Sequence, residues 1–144
     1  MNSFENDILE DLYNYALDHN IGILSSHEFS SSMTALADTK KRLIIINSGQ
    51  SNKQQLPFQV AHEISHVMNG DKSTHLLAFN SIHSDPQIET QANRSAIQML
   101  LPYYANERQI GLMNYTDFMS CFAIPSHLEA IVVKEFQKYN DKSI

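Results

Sequence analysis

Apolar positions recur at helical spacing through Phe4, Ile8, Leu12 and Tyr15, with Leu9 and Ala16 beside them, which predicts an amphipathic helix from about Phe4 to Asp18. The rhythm then changes. Ile21-Gly22-Ile23-Leu24, Met33-Thr34-Ala35-Leu36-Ala37 and Arg42-Leu43-Ile44-Ile45-Ile46-Asn47 are short β-prone runs. The polar Asp38-Thr39-Lys40-Lys41 between the last two reads as a hairpin turn, although it lacks an Asn-Gly pair. Ser48 to Gln55 is a polar loop, and Pro57 suits the first turn of a helix, where its missing N–H has no partner to lose. Val60, Ile64, Val67 and Met68 give that helix an apolar face, and Asn69-Gly70-Asp71 ends it. After a polar, histidine-containing stretch, Asp85 is a helix N-cap with Pro86 just inside. This third helix carries Ile88, Ala92, Ser95, Ala96, Met99 and Leu100 on one side and is expected to stop near Pro102. Two or three shorter helices follow, with breaks near Asn114 and Pro125.

A chain of 144 residues is long enough for one compact domain with a real core. The reading is therefore one domain over 1–144, with the sheet and site in 1–102 and a helical part in 103–144. With 42% hydrophobic and 18% charged residues, the chain has an ordinary globular composition. No stretch approaches the roughly 20 apolar residues that cross a bilayer. Met1-Asn2-Ser3-Phe4-Glu5-Asn6-Asp7 lacks the positive and apolar regions of a secretory signal, so a cytoplasmic location with no membrane partner is expected.

The single cysteine, Cys121, excludes an internal disulfide framework, and its apolar neighbours predict a buried structural thiol. A net charge of −6 without a basic run argues against direct nucleic-acid binding. The same holds for Tyr115 to Lys138, which could be read as a helix-turn-helix. There Asp117, Glu129 and Glu135 outnumber Lys134 and Lys138, and a packing or partner-docking unit is expected instead.

The chemistry lies in His62-Glu63-Ile64-Ser65-His66. Two histidines four residues apart on a helix differ by about 40° around its axis, so both can reach one ion from successive turns. Zinc suits imidazole and carboxylate ligands, and a catalytic site keeps three protein ligands with a further position for water. Glu63 projects beside the histidines, placed to accept a proton from that water. A third ligand is needed, and Glu89, one turn into the next helix, is the best candidate, although an acid near a helix N-terminus is favourable without any metal. Asn93, four residues on and on the same side, could accept from the outer N–H of a ligand imidazole. His75 and His83 are open as rival ligands, substrate contacts or transition-state donors. Tyr103 and Tyr104 are equally open between packing and oxyanion stabilisation. His19, His27 and His127 show no ligand spacing.

These residues carry a resemblance to the ImmA/IrrE metallopeptidase family. It rests on Ile44-Ile45-Ile46-Asn47, on Phe58-Gln59-Val60-Ala61-His62-Glu63-Ile64-Ser65-His66, and on the run from Glu89 to Pro102. The last is similar to the family's Glu-x-x-Ala-Asn-x-Phe-Ala-x-x-Leu-Leu-x-Pro pattern, with Ser95 in place of an aromatic and Met99 in place of a leucine. The similarity covers roughly Ser32 to Pro102, and Phe122-Ala123-Ile124-Pro125-Ser126 weakly resembles the family's helical tail. The resemblance implies a zincin-like α+β fold, with a small three-stranded antiparallel or mixed sheet against the histidine helix. It implies His62, His66 and Glu89 as zinc ligands and Glu63 as general base. It further implies a helix-turn-helix repressor of a phage or mobile element as protein partner, either cleaved or sequestered by an anti-repressor whose metal is structural.

Overall fold

A computed structural model describes residues 3–71, 77–78, 85–108 and 110–142. The first helix, α1, runs Ser3–Asp18 and turns its regularly spaced Ile8, Leu9, Leu12 and Ala16 into the core. Asn20, at φ 60°, reverses the chain into β1, Gly22–Ser26. The hairpin strands β2, Leu36–Asp38, and β3, Leu43–Asn47, follow. β3 is the shared centre: it pairs parallel with β1, Ile23 opposite Ile44, and antiparallel with β2, Ala37 opposite Ile44. The sheet is therefore mixed.

The β2–β3 turn closes without glycine. Arg42 sits at φ 51°, and its guanidinium donates to His19 O at 2.6 Å and Asn20 O at 3.2 Å. Those bonds hold a left-handed conformation that a bulky residue rarely adopts. The strand expected over Met33 to Ala37 begins later, at Leu36. Its first residues are engaged elsewhere, because Met33 O accepts from the Asn47 side chain and Ala35 N donates to the Gln59 side chain.

A fourth strand, β4, Leu77–Ala78, adds antiparallel to β2, giving the order β1-β3-β2-β4 rather than the three strands expected. Two residues are too few to show alternation in a sequence.

After a single turn of 3-10 helix at Lys53–Gln55, α2 spans Leu56–Asn69 and packs against β2 and β3 on one side and α1 on another. Every residue from Leu56 to Val67 is buried, so α2 is the central helix of the fold. Helix α3, Pro86–Glu107, lies along it. Contrary to expectation, α3 does not stop at Pro102. A proline deprives the ladder of one donor, while Ile97, Leu100, Leu101 and Tyr104 anchor both sides of the break in the core, and Arg108 N caps Tyr104 O at 3.1 Å.

Helices α4, Tyr115–Cys121, and α5, Glu129–Lys142, complete the chain, with 3-10 turns before each. Phe118 is their hub, with ring centroids 5.4 Å from Tyr104, 5.3 Å from Phe122 and 5.5 Å from Phe136. The segment Tyr115 to Lys138 thus turns its aromatic residues inward, into the core cluster that also takes residues from α1, α2 and β3. Cys121 is half-buried rather than buried, and Arg108 Nη2 donates to its Sγ at 3.5 Å. Among the described residues no helix is long and apolar enough to cross a membrane.

Candidate metal centre

His62 and His66 lie on consecutive turns of α2, 1% and 0% exposed. His62 is at the middle of the helix and His66 in its last turn, where Gly70, at φ 65°, caps it by donating to His66 O and Val67 O. Glu89 and Asn93 come from the first two turns of α3. That helix starts where the sequence places it, because the Asp85 carboxylate accepts from Gln87 N at 2.8 Å and Pro86 presets the first helical φ. Fully buried alanines at 92 and 96 keep α3 slender where it runs along α2.

The packing of these helices brings three side chains to one point. His62 Nε2 is 2.9 Å from Glu89 Oε1 and 3.1 Å from His66 Nε2. His66 Nε2 is 3.1 Å from Glu89 Oε1 and 3.0 Å from its Oε2. The outer nitrogens face acceptors: His62 Nδ1 is 2.8 Å from Asn93 Oδ1, and His66 Nδ1 is 3.0 Å from Asp71 Oδ2. Both acceptors require the proton on Nδ1, which leaves each neutral imidazole with a bare Nε2 lone pair aimed at the other and at a carboxylate.

Three lone-pair donors about 3 Å apart repel unless a positive charge lies among them. A single proton on His66 Nε2 would still leave the His62 Nε2 lone pair facing the Glu89 carboxylate, and a second proton, on His62, would set two imidazolium N–H groups against each other. Burial opposes this at His62, whose pKa is lowered despite the pull of Glu89. Burial also disfavours the charged form of His66, but the Glu89 and Asp71 carboxylates outweigh it and raise its pKa. Burial would likewise raise Glu89, yet its bonds to the two imidazoles bring it down to about 2. The environment therefore favours an ionised carboxylate facing two imidazoles. A single cation satisfies all three, and ligands bonded at roughly 2 Å around a tetrahedral ion stand about 3.3 Å apart. Glu89 Oε2 is buried, and the polar atom beside it, His66 Nε2 at 3.0 Å, is itself a lone-pair donor. His62, His66 and Glu89 fit a metal ion.

Glu63 is wholly buried, and neither carboxylate oxygen has a hydrogen-bond partner among the described residues. Burial and the nearby Glu89 charge push its pKa well above the ordinary carboxylate value. An ionised group so enclosed is unfavourable to stability, and such groups are characteristic of reaction sites.

The other candidates separate cleanly. The Tyr104 hydroxyl donates to Asp117 Oδ2 at 2.7 Å and accepts from Asn114 N at 3.2 Å, so it serves the core and not the metal centre. Tyr103 is half-buried and bonded to Asp11 of α1. His75 and His83 lie outside the described residues. His19 stacks on Tyr15 and pairs with its carbonyl at 2.7 Å, while His27 and His127 are exposed. The sequence reading missed Asp71, treating it only as part of the helix end. The available signal was its place directly after the Gly70 reversal, which returns the chain toward His66.

Comparison with protein-family models gives a match over residues 16–141 to the peptidase model described as an IrrE N-terminal-like domain. No curated protein and no solved structure matches the chain.

Proposed function

The chain belongs to the IrrE N-terminal-like family of M78 peptidases, and from this premise we propose that it is a zinc-dependent endopeptidase of narrow specificity whose substrate is a helix-turn-helix repressor of a phage or mobile element. The observation that carries the enzymatic part is the convergence of His62, His66 and Glu89 donors beside the buried, unbonded Glu63. The substrate class is supported by the family resemblance.

His62, His66 and Glu89 would hold the ion. Bound zinc supplies Lewis-acid polarisation of the scissile carbonyl and makes water acidic enough to deprotonate near neutral pH. Glu63 takes that proton on its carboxylate and then delivers it to the departing amine. Burial favours the protonated carboxyl, which suits the delivery of that proton to the amine. Asn93 holds His62 in the tautomer that directs Nε2 at the ion.

The test is to incubate the zinc-loaded protein, beside its Glu63→Gln variant, with the repressor-like protein encoded nearest to it, and to follow the substrate by intact mass. A discrete cut made only by the unmutated chain is expected. Equal stoichiometric binding by both forms without a cut would replace the peptidase with a sequestering anti-repressor. Cleavage by the Glu63→Gln variant at the unmutated rate would refute the assigned base.

A further inference from the structure

Asp71 stands immediately after α2, where Gly70 reverses the chain. Its N–H donates to His66 O at 3.1 Å, and its side chain folds back so that Oδ2 lies 3.0 Å from His66 Nδ1. From the other direction, its carbonyl accepts from Thr39 Oγ1 at 2.7 Å, in the turn between β2 and β3. The side chain is only 15% exposed. An ionised carboxylate can only accept, so His66 Nδ1 carries the proton and donates. Asp71 meets the nitrogen opposite the one facing Glu89 and therefore stands outside the donor cluster.

We infer that Asp71 is a positioning residue for the metal centre, fixing the ring and tautomer of His66 and making its Nε2 a stronger donor, an inference that rests on the metal-centre reading. The two imidazoles are supported unequally. His62 leans on a neutral amide, Asn93, whereas His66 leans on the carboxylate of Asp71, whose own backbone is held by the His66 carbonyl and the Thr39 hydroxyl. Charge-assisted hydrogen bonds are roughly twice as strong as neutral ones, so His66 is the more firmly set ligand. The ordering that follows is specific: truncating Asp71 weakens metal binding more than truncating Asn93. It also makes the sheet part of the centre, because the β2–β3 turn holds Asp71 through Thr39.

The experiment is zinc competition against a chromophoric chelator, using the full chain and its Asp71→Ala, Asp71→Asn and Asn93→Ala variants. Asp71→Ala is expected to raise the zinc dissociation constant by roughly 10–100-fold, Asn93→Ala by less, and Asp71→Asn, which keeps an acceptor of the same shape, by an intermediate amount. Imidazole 15N shifts give a second readout: His66 holds its proton on Nδ1 in the zinc-free unmutated chain and becomes a tautomer mixture in Asp71→Ala. Should Asp71→Ala fail to fold, Asp71→Asn carries the test, and zinc affinity equal to the unmutated chain would overturn the role of the charge. Equal affinity in a folded Asp71→Ala would overturn the inference while leaving the metal centre standing. Failure of the unmutated chain to bind zinc would overturn both.

Discussion

Gln59→Ala should be among the most destabilising single substitutions in the chain outside the apolar core. Gln59 is fully buried one turn before His62 and Glu63, and all of its hydrogen-bonding capacity is used. Its Oε1 accepts from Ala35 N at 3.0 Å and Gln50 Nε2 at 3.1 Å. Its Nε2 donates to Gln50 Oε1 at 2.8 Å and Gln55 Oε1 at 2.9 Å. Truncation strands the Ala35 amide, and the two glutamines must find new partners in a buried space. A buried polar group left unpaired costs about 1–3 kcal/mol. Because Gln50 Nε2 keeps Asn47 O and Gln55 Nε2 keeps Ala123 O, the penalty falls on the Ala35 N–H, on the Gln50 and Gln55 Oε1 atoms that lose their donor, and on the cavity, and we expect a loss of about 3–4 kcal/mol. That is a large share of the roughly 5–15 kcal/mol by which domains are stable. Urea unfolding followed by circular dichroism, comparing midpoints at equal slope, is the assay. Gln59→Glu supplies a control of nearly equal volume: its Oε1 can still accept from Ala35, but a second oxygen would oppose the Gln50 and Gln55 oxygens. A loss below about 1 kcal/mol in Gln59→Ala would refute the reasoning, since the buried amides would then be tolerating disconnection.

Removing the metal should destabilise the chain: with zinc at about 1,000 times its dissociation constant, binding contributes about 4 kcal/mol and chelation should lower Tm by roughly 10 °C. A melting temperature indifferent to chelator would count against the site. Protons compete for His62 and His66, so this zinc-dependent increment should fade as pH falls. Asp117 has its pKa lowered by the Tyr104 hydroxyl and then by Arg108. Its contribution is therefore present above the ordinary carboxylate range and lost on acidification, so the stability gap between the unmutated chain and Asp117→Asn should be visible at neutral pH and close below about pH 4. A gap independent of pH would contradict that linkage. Pro102→Ala restores a donor to α3 and should raise stability by up to about 3 kcal/mol in thermal unfolding; a fall would show that the proline's shape is itself required.

The parts of the fold that were legible in the sequence are those fixed by local rules. Helical spacing marked α1, the Asp85-Pro86 pair marked the start of α3, and Gly70 marked the end of α2. The histidine pair and Glu89 could be read because helical periodicity places them, and Asn93 follows from Glu89 by one turn. What escaped was decided by tertiary contact. Gln59 captures Ala35 and so delays β2, and buried residues on both sides carry α3 through Pro102. Asp71 reaches His66 only because the left-handed Gly70 reverses the chain, a consequence that residue spacing alone does not express.

The most direct test of the central claim is an anomalous difference map at the zinc edge from crystals of the zinc-loaded protein. One peak per chain, within bonding distance of His62 Nε2, His66 Nε2 and the Glu89 carboxylate, with Glu63 beside it but not bonded, is the predicted result. A peak held by other residues, or none, would contradict the account.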